Sequence, residues 1–382
     1  MRFLRKLVER QYPRFEKSRV LRPWLPLLEA VDSFLWRKSG NAREAPFFRD
    51  RIDIKRFMIV VVVGLAPATL AAFYFWGWRC VWLILISYLF GGATEVFFSV
   101  ARKETVSEGF LVTGLLFPLT LPAATPWWVV ALGVVFGCAI GKEIFGGTGY
   151  NVFNPALVAR AFVYICFPVQ VAATDVWEPN AANAGWPGGL ARWSSATVEV
   201  DSVSSATPLA ARKQWAKATD EATREALKKE IPSLRAMFLG NVRGSMGETS
   251  AVLLIAGGLF LIACRIASWR IVLAIVLSGA AYSAVMHYGA GLKVFAPPVF
   301  TLLSGGYMLG AFFMATDPVS GPDTKQAQWT YGILIGVAAV TIRSISGYAG
   351  GIMFAILLAN VFAPLMDYIV MQQRYRRRKA LA

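Results

Sequence analysis

Apolar and polar positions alternate along this chain in long blocks, and ten of the blocks are apolar. They run Phe57 to Trp78, Val81 to Val100, Gly109 to Pro122, Trp127 to Ile144, Phe153 to Ala173, Ser250 to Ile266, Ile271 to Tyr288, Val299 to Thr316, Trp329 to Ile345 and Gly351 to Met371. Most approach the roughly 20 residues that a helix needs to cross a bilayer. The expected fold is an all-α polytopic membrane protein with about ten transmembrane helices. The third block is too short for one regular crossing and carries Pro118 and Pro122, and the eighth is interrupted by Ser304-Gly305-Gly306. Such breaks are tolerated only where the freed backbone faces protein or a water-filled cavity.

The two broken blocks hold matching places in a faint duplication, about 200 residues apart. Ser107-Glu-Gly-Phe-Leu resembles Ser304-Gly-Gly-Tyr-Met, and Gly133-Val resembles Gly336-Val. Leu157-Val-Ala-Arg-Ala-Phe162 loosely resembles Leu357-Leu-Ala-Asn-Val-Phe362, in the same order. Five blocks per copy is an odd number, so the second copy must enter from the opposite side of the membrane. The expectation is two inverted five-helix repeats with broken helices, residues 57–173 and 249–371, an architecture for moving something small across a bilayer.

The polar blocks orient this frame. Fifteen basic residues lie between Arg2 and Arg56, and Arg374, Arg376, Arg377, Arg378 and Lys379 follow the last apolar block. Both termini are therefore expected in the cytoplasm. Within the N-terminal segment 1–56, Leu28, Val31 and Leu35 recur at helical spacing after Pro26, which suggests a helix on the membrane surface. Residues 372–382 form a basic tail. Residues 174–248 form a hydrophilic insertion five crossings from the start, hence on the outer side, in which Ala222 to Lys229 suits a short exposed helix. The opening Met-Arg-Phe-Leu-Arg-Lys lacks the apolar core of a cleavable signal, so the first crossing is expected to direct insertion. Arg79, Lys293 and Arg343 are isolated cations on the outer side.

Composition narrows the function classes. A chain that is 56% hydrophobic and 16% charged is too apolar for a soluble protein, and its net charge of +16 is concentrated at membrane edges. Topology and attraction to anionic lipid account for that charge, and no nucleic-acid partner is expected. Cys80, Cys138, Cys166 and Cys264 are scattered and His287 stands alone, so no metal or iron–sulfur site of this chain's own is expected. No hydrolytic triad, phosphate loop or dinucleotide fingerprint occurs, and no catalytic residue is assigned. Gly146-Gly-Thr-Gly149 is better explained as glycine at a helix break than as a phosphate cradle.

Ionisable residues at membrane depth are Glu95, Lys142, Glu143, Arg160, Asp317 and Asp367. Charge there is costly and marks an ion path or a partner. Glu95 and Glu143 are the candidates for an ion pathway, against a helix-end or paired-charge role. Asp317, before Pro318, suits a cap or turn, and His287 an interfacial position.

Asp201-Ser-Val-Ser-Ser-Ala-Thr207 lies in the insertion and is by itself a serine-rich turn. It gains meaning beside Lys142-Glu-Ile-Phe-Gly-Gly-Thr-Gly-Tyr-Asn-Val-Phe-Asn-Pro-Ala-Leu157, Gly244-Ser-Met-Gly-Glu-Thr-Ser250 and Phe313-Met-Ala-Thr-Asp-Pro-Val-Ser320. Together these motifs resemble the B subunits of sodium-translocating NADH:quinone reductases and the related D subunits of Rnf complexes, from about Arg49 to Arg378. The basic N-terminal extension and the ending Leu358-Ala-Asn-Val-Phe-Ala-Pro-Leu-Met-Asp-Tyr-Ile-Val370 look more like the quinone-reductase subunit.

The resemblance implies FMN joined through its phosphate to Thr207, the last residue of a motif in which Asp201, Ser204, Ser205 and Ala206 are the other members. Ser205 stands where the family usually has glycine. A separate flavin transferase would attach the FMN on the outer side, which agrees with the crossing count. The resemblance further implies a riboflavin near the cytoplasmic side, ubiquinone as electron acceptor, sodium as the transported ion and partner subunits, one of which oxidises NADH. It implies a bacterial inner membrane. A flavin-free channel of the urea-transporter type would share the inverted repeat without needing Thr207, and a membrane scaffold would need neither.

Overall fold

The computed structural model describes residues 54–103, 109–171, 208–218, 220–240, 242, 244–248, 250–346 and 350–381, together with Pro13 and Lys17. Thr207, Asp201, Ser204, Ser205 and Ala206 lie outside the described residues, as do nearly all of segment 1–56 and about half of the insertion.

The described residues form helices and no strand. The first half holds α1 (Ile54–Trp76), α2 (Trp78–Arg102), α3 (Phe110–Leu119), α4 (Trp127–Gly141) and α5 (Pro155–Cys166). The insertion contributes α6 (Pro208–Lys217), α7 (Glu221–Glu230) and α8 (Leu234–Leu239). The second half holds α9 (Ala251–Ala263), α10 (Trp269–Ala284), α11 (Pro298–Leu303), α12 (Tyr307–Leu309), α13 (Lys325–Ile345) and α14 (Gly351–Leu381). The exposed helix expected at Ala222 to Lys229 is α7.

Among the described residues, five helical stretches are long and apolar enough to cross a membrane: Phe57–Trp76, Trp78–Arg102, Trp127–Phe145, Trp269–Gly289 and Gly351–Lys379. The expectation of about ten is met only in part. Helices α3, α5 and α9 are apolar but run 10, 12 and 13 residues. Helix α13 has 21 residues, with Lys325, Gln326, Gln328 and Arg343 diluting its apolar character. Large apolar side chains such as Val63, Leu70, Leu89 and Leu259 point outward, the inverse of a water-soluble surface.

Both expected breaks are present. Helix α3 ends at Leu119, and the chain then turns through Pro122 to Pro126 before α4. Helix α11 stops at Leu303; Ser304 is extended, and Gly305 and Gly306 take φ of 58° and 64° before α12 and a wide turn over Gly310–Met314. A side chain would be strained at that positive φ, which is why glycine occupies both places.

Close backbone contact holds the helices together, since burial against lipid offers no hydrophobic gain. In α4, Gly133, Gly137 and Gly141 seat against Val163, Ala159 and Val158 of α5, and in α13, Gly332 and Gly336 seat against α10. Helix α1 crosses α9 so closely that a Cβ on Gly257 would run into the Gly64 carbonyl oxygen. In the first half α2 packs on α3 and α4, and α4 on α5; in the second, α10 packs on α11 and α13, and α13 on α14. The halves also meet where Tyr164 of α5 stands edge-on to Phe354 of α14, ring centroids 6.0 Å apart.

Candidate functional site

At the end of the bundle where α2 and α4 finish, four charges from two parts of the chain converge. Lys142 leaves α4 and is 2% exposed; its ammonium contacts the Glu95 carboxylate and lies 3.5 Å from Glu143. It also donates to Thr148 Oγ1 at 3.3 Å. Arg102, the last residue of α2, donates to the Glu143 carboxylate at 2.8 Å and to its backbone carbonyl. Two carboxylates thus face two cations, which makes the cluster formally neutral. An isolated buried carboxylate would be prohibitively costly there; a paired one is not. Sequence reasoning singled out Glu95 and Glu143 separately, by membrane depth; the structure joins them through Lys142, whose pairing nothing in the sequence signalled.

Lys142 lines a cavity of about 60 Å³ between the two halves of the bundle. Thr113 of α3, Thr148, Asn151, Asn154, Thr316 and Asp317 supply its other polar side chains. Asn154 Oδ1 caps α5 by accepting from Ala156 N at 3.0 Å, and Asn151 donates to the Phe153 carbonyl at 2.9 Å. Asp317 accepts from Ser320 Oγ at 2.9 Å and Val319 N at 3.3 Å, a turn as its place before Pro318 suggested. Asp367 binds the start of α13, accepting from Thr324 N at 2.9 Å and Asp323 N at 2.8 Å. His287 Nδ1 is 2.7 Å from the Phe295 carbonyl oxygen. Among the described residues no group of three His, Cys, Asp or Glu side chains is arranged to hold a metal.

The opposite end is organised by arginine. Arg343, 4% exposed, donates from Nη1 to the carbonyls of Thr301 and Ser304 at 3.0 and 2.9 Å, and from Nη2 to Gly305. These carbonyls lie where the chain leaves α11, at the end of a helix, where carbonyls lose their intrahelical donors. The guanidinium also stands 5.1 Å from the Tyr307 ring centroid. Glu248 fills the space where a Cβ on Gly306 would sit. Arg79 serves the other break, donating to the carbonyls of Ala123 and Thr125 at 3.3 and 3.1 Å. Arg79 and Arg343, two of the three cations expected on the outer side, are thus spent on backbone oxygen at the two interrupted helices.

Helix α6 begins at Pro208, the residue after Thr207, and rests on the second break. Leu209 packs in a small cluster with Met237, Ala296 and Phe300, and lies against Gly305. Lys213 donates to the Ser346 carbonyl at the end of α13.

The profile of the NQR2, RnfD, RnfE family matches residues 41–376. The chain is 36% identical to the B-type subunit of the Na(+)-translocating NADH-quinone reductase of Pseudomonas aeruginosa, with 99% of each chain covered. It is 36% identical to the subunit of that name from Pseudoalteromonas atlantica and 34% to that from Klebsiella pneumoniae, again over 99% of each chain.

Proposed function

Since the chain belongs to the NQR2, RnfD, RnfE family, we propose that it is the B-type membrane subunit of a redox-driven sodium pump of the bacterial inner membrane. The observation that carries this reading is likeness along the full length of relatives bearing that name, 99% of each chain. That span takes in the basic N-terminal segment, which favours the quinone-reductase subunit over its Rnf relative.

In this reading the two halves are inverted five-helix repeats, with the insertion outside and both termini in the cytoplasm. Matching breaks at Pro118–Pro122 and Ser304–Gly306, and the same order of helix neighbours in each half, support it. FMN is joined to Thr207 by a phosphoester placed by a flavin transferase, and a riboflavin serves nearer the cytoplasm. These flavins, when bound, supply the electron transfer that links NADH oxidation on a partner subunit to ubiquinone. The chain's own part is to anchor the segment that follows the tether: Leu209 packs beside the break. A fixed donor position is what a protein adds to cofactor chemistry.

Glu95 and Glu143 are the proposed ion-pathway carboxylates. Both are neutralised by Lys142 and Arg102, so a sodium ion can take their oxygens only if the Lys142 ammonium moves, and the cavity that Lys142 lines gives it room.

The test of the flavin assignment is ultraviolet fluorescence of the denatured chain in a gel after co-expression with a flavin transferase. The wild type is expected to fluoresce and Thr207→Ala to be dark. Thr197→Ala, in the similar Ser194-Ser-Ala-Thr197, is expected to stay bright. A dark wild type, or a bright Thr207→Ala, refutes the assignment and leaves the flavin-free transporter standing.

A further inference from the structure

The turn Met246–Glu248, inside the motif that begins at Gly244, reaches both helix breaks. Met246 N donates to the carbonyl of Leu121, just past the end of α3, at 3.0 Å. A Cβ on Gly247 would stand 2.8 Å from the Cβ of Leu119. One residue on, the Glu248 side chain lies against Gly306 of the second break. The turn therefore fills the gap between the two interrupted helices, which is where an inverted repeat puts its path.

Two arginines flank the turn, one from each half. Arg160, in the middle of α5, stands 5.5 Å from the Tyr164 ring centroid and lines a narrow space with Gly350, Met353 and Phe354. Its Nη1 is buried and has no acceptor. Arg343 of α13 lies along Gly305, with its stem against Gly351, the first residue of α14. Both guanidiniums are thus beside the start of a helix of 31 residues, which carries its own partial positive charge. The Glu248 carboxylate feels both guanidiniums, and among the described residues it is the one carboxylate whose charge acts on either. Arg212 and Lys213 share a further small space with Arg343 and add to the same field.

Two full positive charges and a helix start face one negative charge. Such a place does not suit a bound cation, which needs free oxygens. The oxygens on offer at the break, the carbonyls of Thr301, Ser304 and Gly305, are already taken by Arg343. Nor does an anion neutralise Arg160, because the space beside it, about 10 Å³, is barely that of one water. Arginines and the positive ends of helices are what narrow pores use to turn cations away.

We propose that Arg160 and Arg343, with the start of α14, form an electrostatic barrier that holds sodium back between the two breaks, and that Glu248 lowers it enough for driven passage. The barrier rests on the sodium-pump reading above and adds what keeps the path from leaking. Arg343 also supports the helix break, so Arg160 and Glu248 are the positions to vary.

The experiment uses the assembled complex in liposomes, as wild type, Arg160→Gln, Arg160→Lys and Glu248→Gln. Passive efflux of radiolabelled sodium and of radiolabelled chloride is read without NADH, and sodium moved per electron is read with it. Arg160→Gln is expected to leak sodium several-fold faster, with chloride efflux unchanged, and to move less sodium per electron while still reducing quinone. Arg160→Lys keeps the charge and is expected to behave as wild type. Glu248→Gln raises the barrier, so it is expected to turn over several-fold more slowly and not to leak. Wild-type sodium efflux in Arg160→Gln overturns the barrier. An equal rise in sodium and chloride efflux also overturns it, since that is the mark of a damaged bundle. If Arg160→Gln does not assemble, Glu248→Gln carries the test, and either a sodium leak or wild-type turnover in it overturns the barrier. A wild-type complex that oxidises NADH and moves no sodium instead defeats the sodium-pump reading itself.

Discussion

Arg343 and Lys142 are single cations buried deep in an apolar bundle, and each is held by several oxygens. For Arg343 these are backbone carbonyls; for Lys142 they are the Glu95 and Glu143 carboxylates and the Thr148 hydroxyl. Removing one partner of a buried pair costs about 3–5 kcal/mol, whereas replacing both with apolar groups is often neutral. Glu95→Leu and Lys142→Met alone are therefore expected to lower the melting temperature of the solubilised protein sharply, and the double variant to recover most of the loss. A double variant as damaged as the sum of the singles would mean the two residues do not act as a pair. In the assembled pump, Glu143→Ala is expected to weaken the sodium dependence of quinone reduction, and unchanged dependence would remove it from the ion path. Sequence alone flagged Glu95 and Glu143 by membrane depth and marked Arg343 as an exception to charge placement. It was silent on their partners, because side chains far apart in the chain meet only after the helices pack.

At the scale of elements, the breaks were legible because proline and paired glycines interrupt apolar runs. Helix lengths were less so. Apolar runs counted as whole crossings at α5 and α9 end early, at Phe167 and at Arg265, whose φ of 59° turns the chain out of the helix. Helix α14 instead runs on to Leu381, through the cluster taken from sequence as a separate tail. Arginine, lysine, glutamine, methionine and alanine dominate that stretch, and all favour helix. The α1–α9 crossing gives a sharp packing test. Gly257→Ala would drive a methyl into the Gly64 carbonyl and is expected to reduce the yield of folded protein. In Gly92→Ala, by contrast, the new methyl meets Phe110 at an ordinary 3.5 Å and should leave yield unchanged. Equal yields would mean that α1 and α9 do not approach this closely.

For the molecule as a whole, composition and block pattern were enough for an all-helical membrane protein, and the motifs were enough for the family. The proposed duplication leaves only a faint trace in the sequence, since apolar packing accepts many side chains and keeps little sequence memory beyond glycine and proline at the breaks. On the proposed topology an odd number of crossings separates the N-terminus from the insertion, which puts the motif ending in Thr207 on the side away from the basic ends. Whether this motif carries a flavin on one hydroxyl can be read from the mass of the tryptic peptide Trp193–Arg212 of the transferase-loaded protein. The expected peptide is heavier by one FMN less one water, with fragmentation assigning the addition to Thr207. An unmodified peptide, or an addition at any other residue, would contradict the assignment.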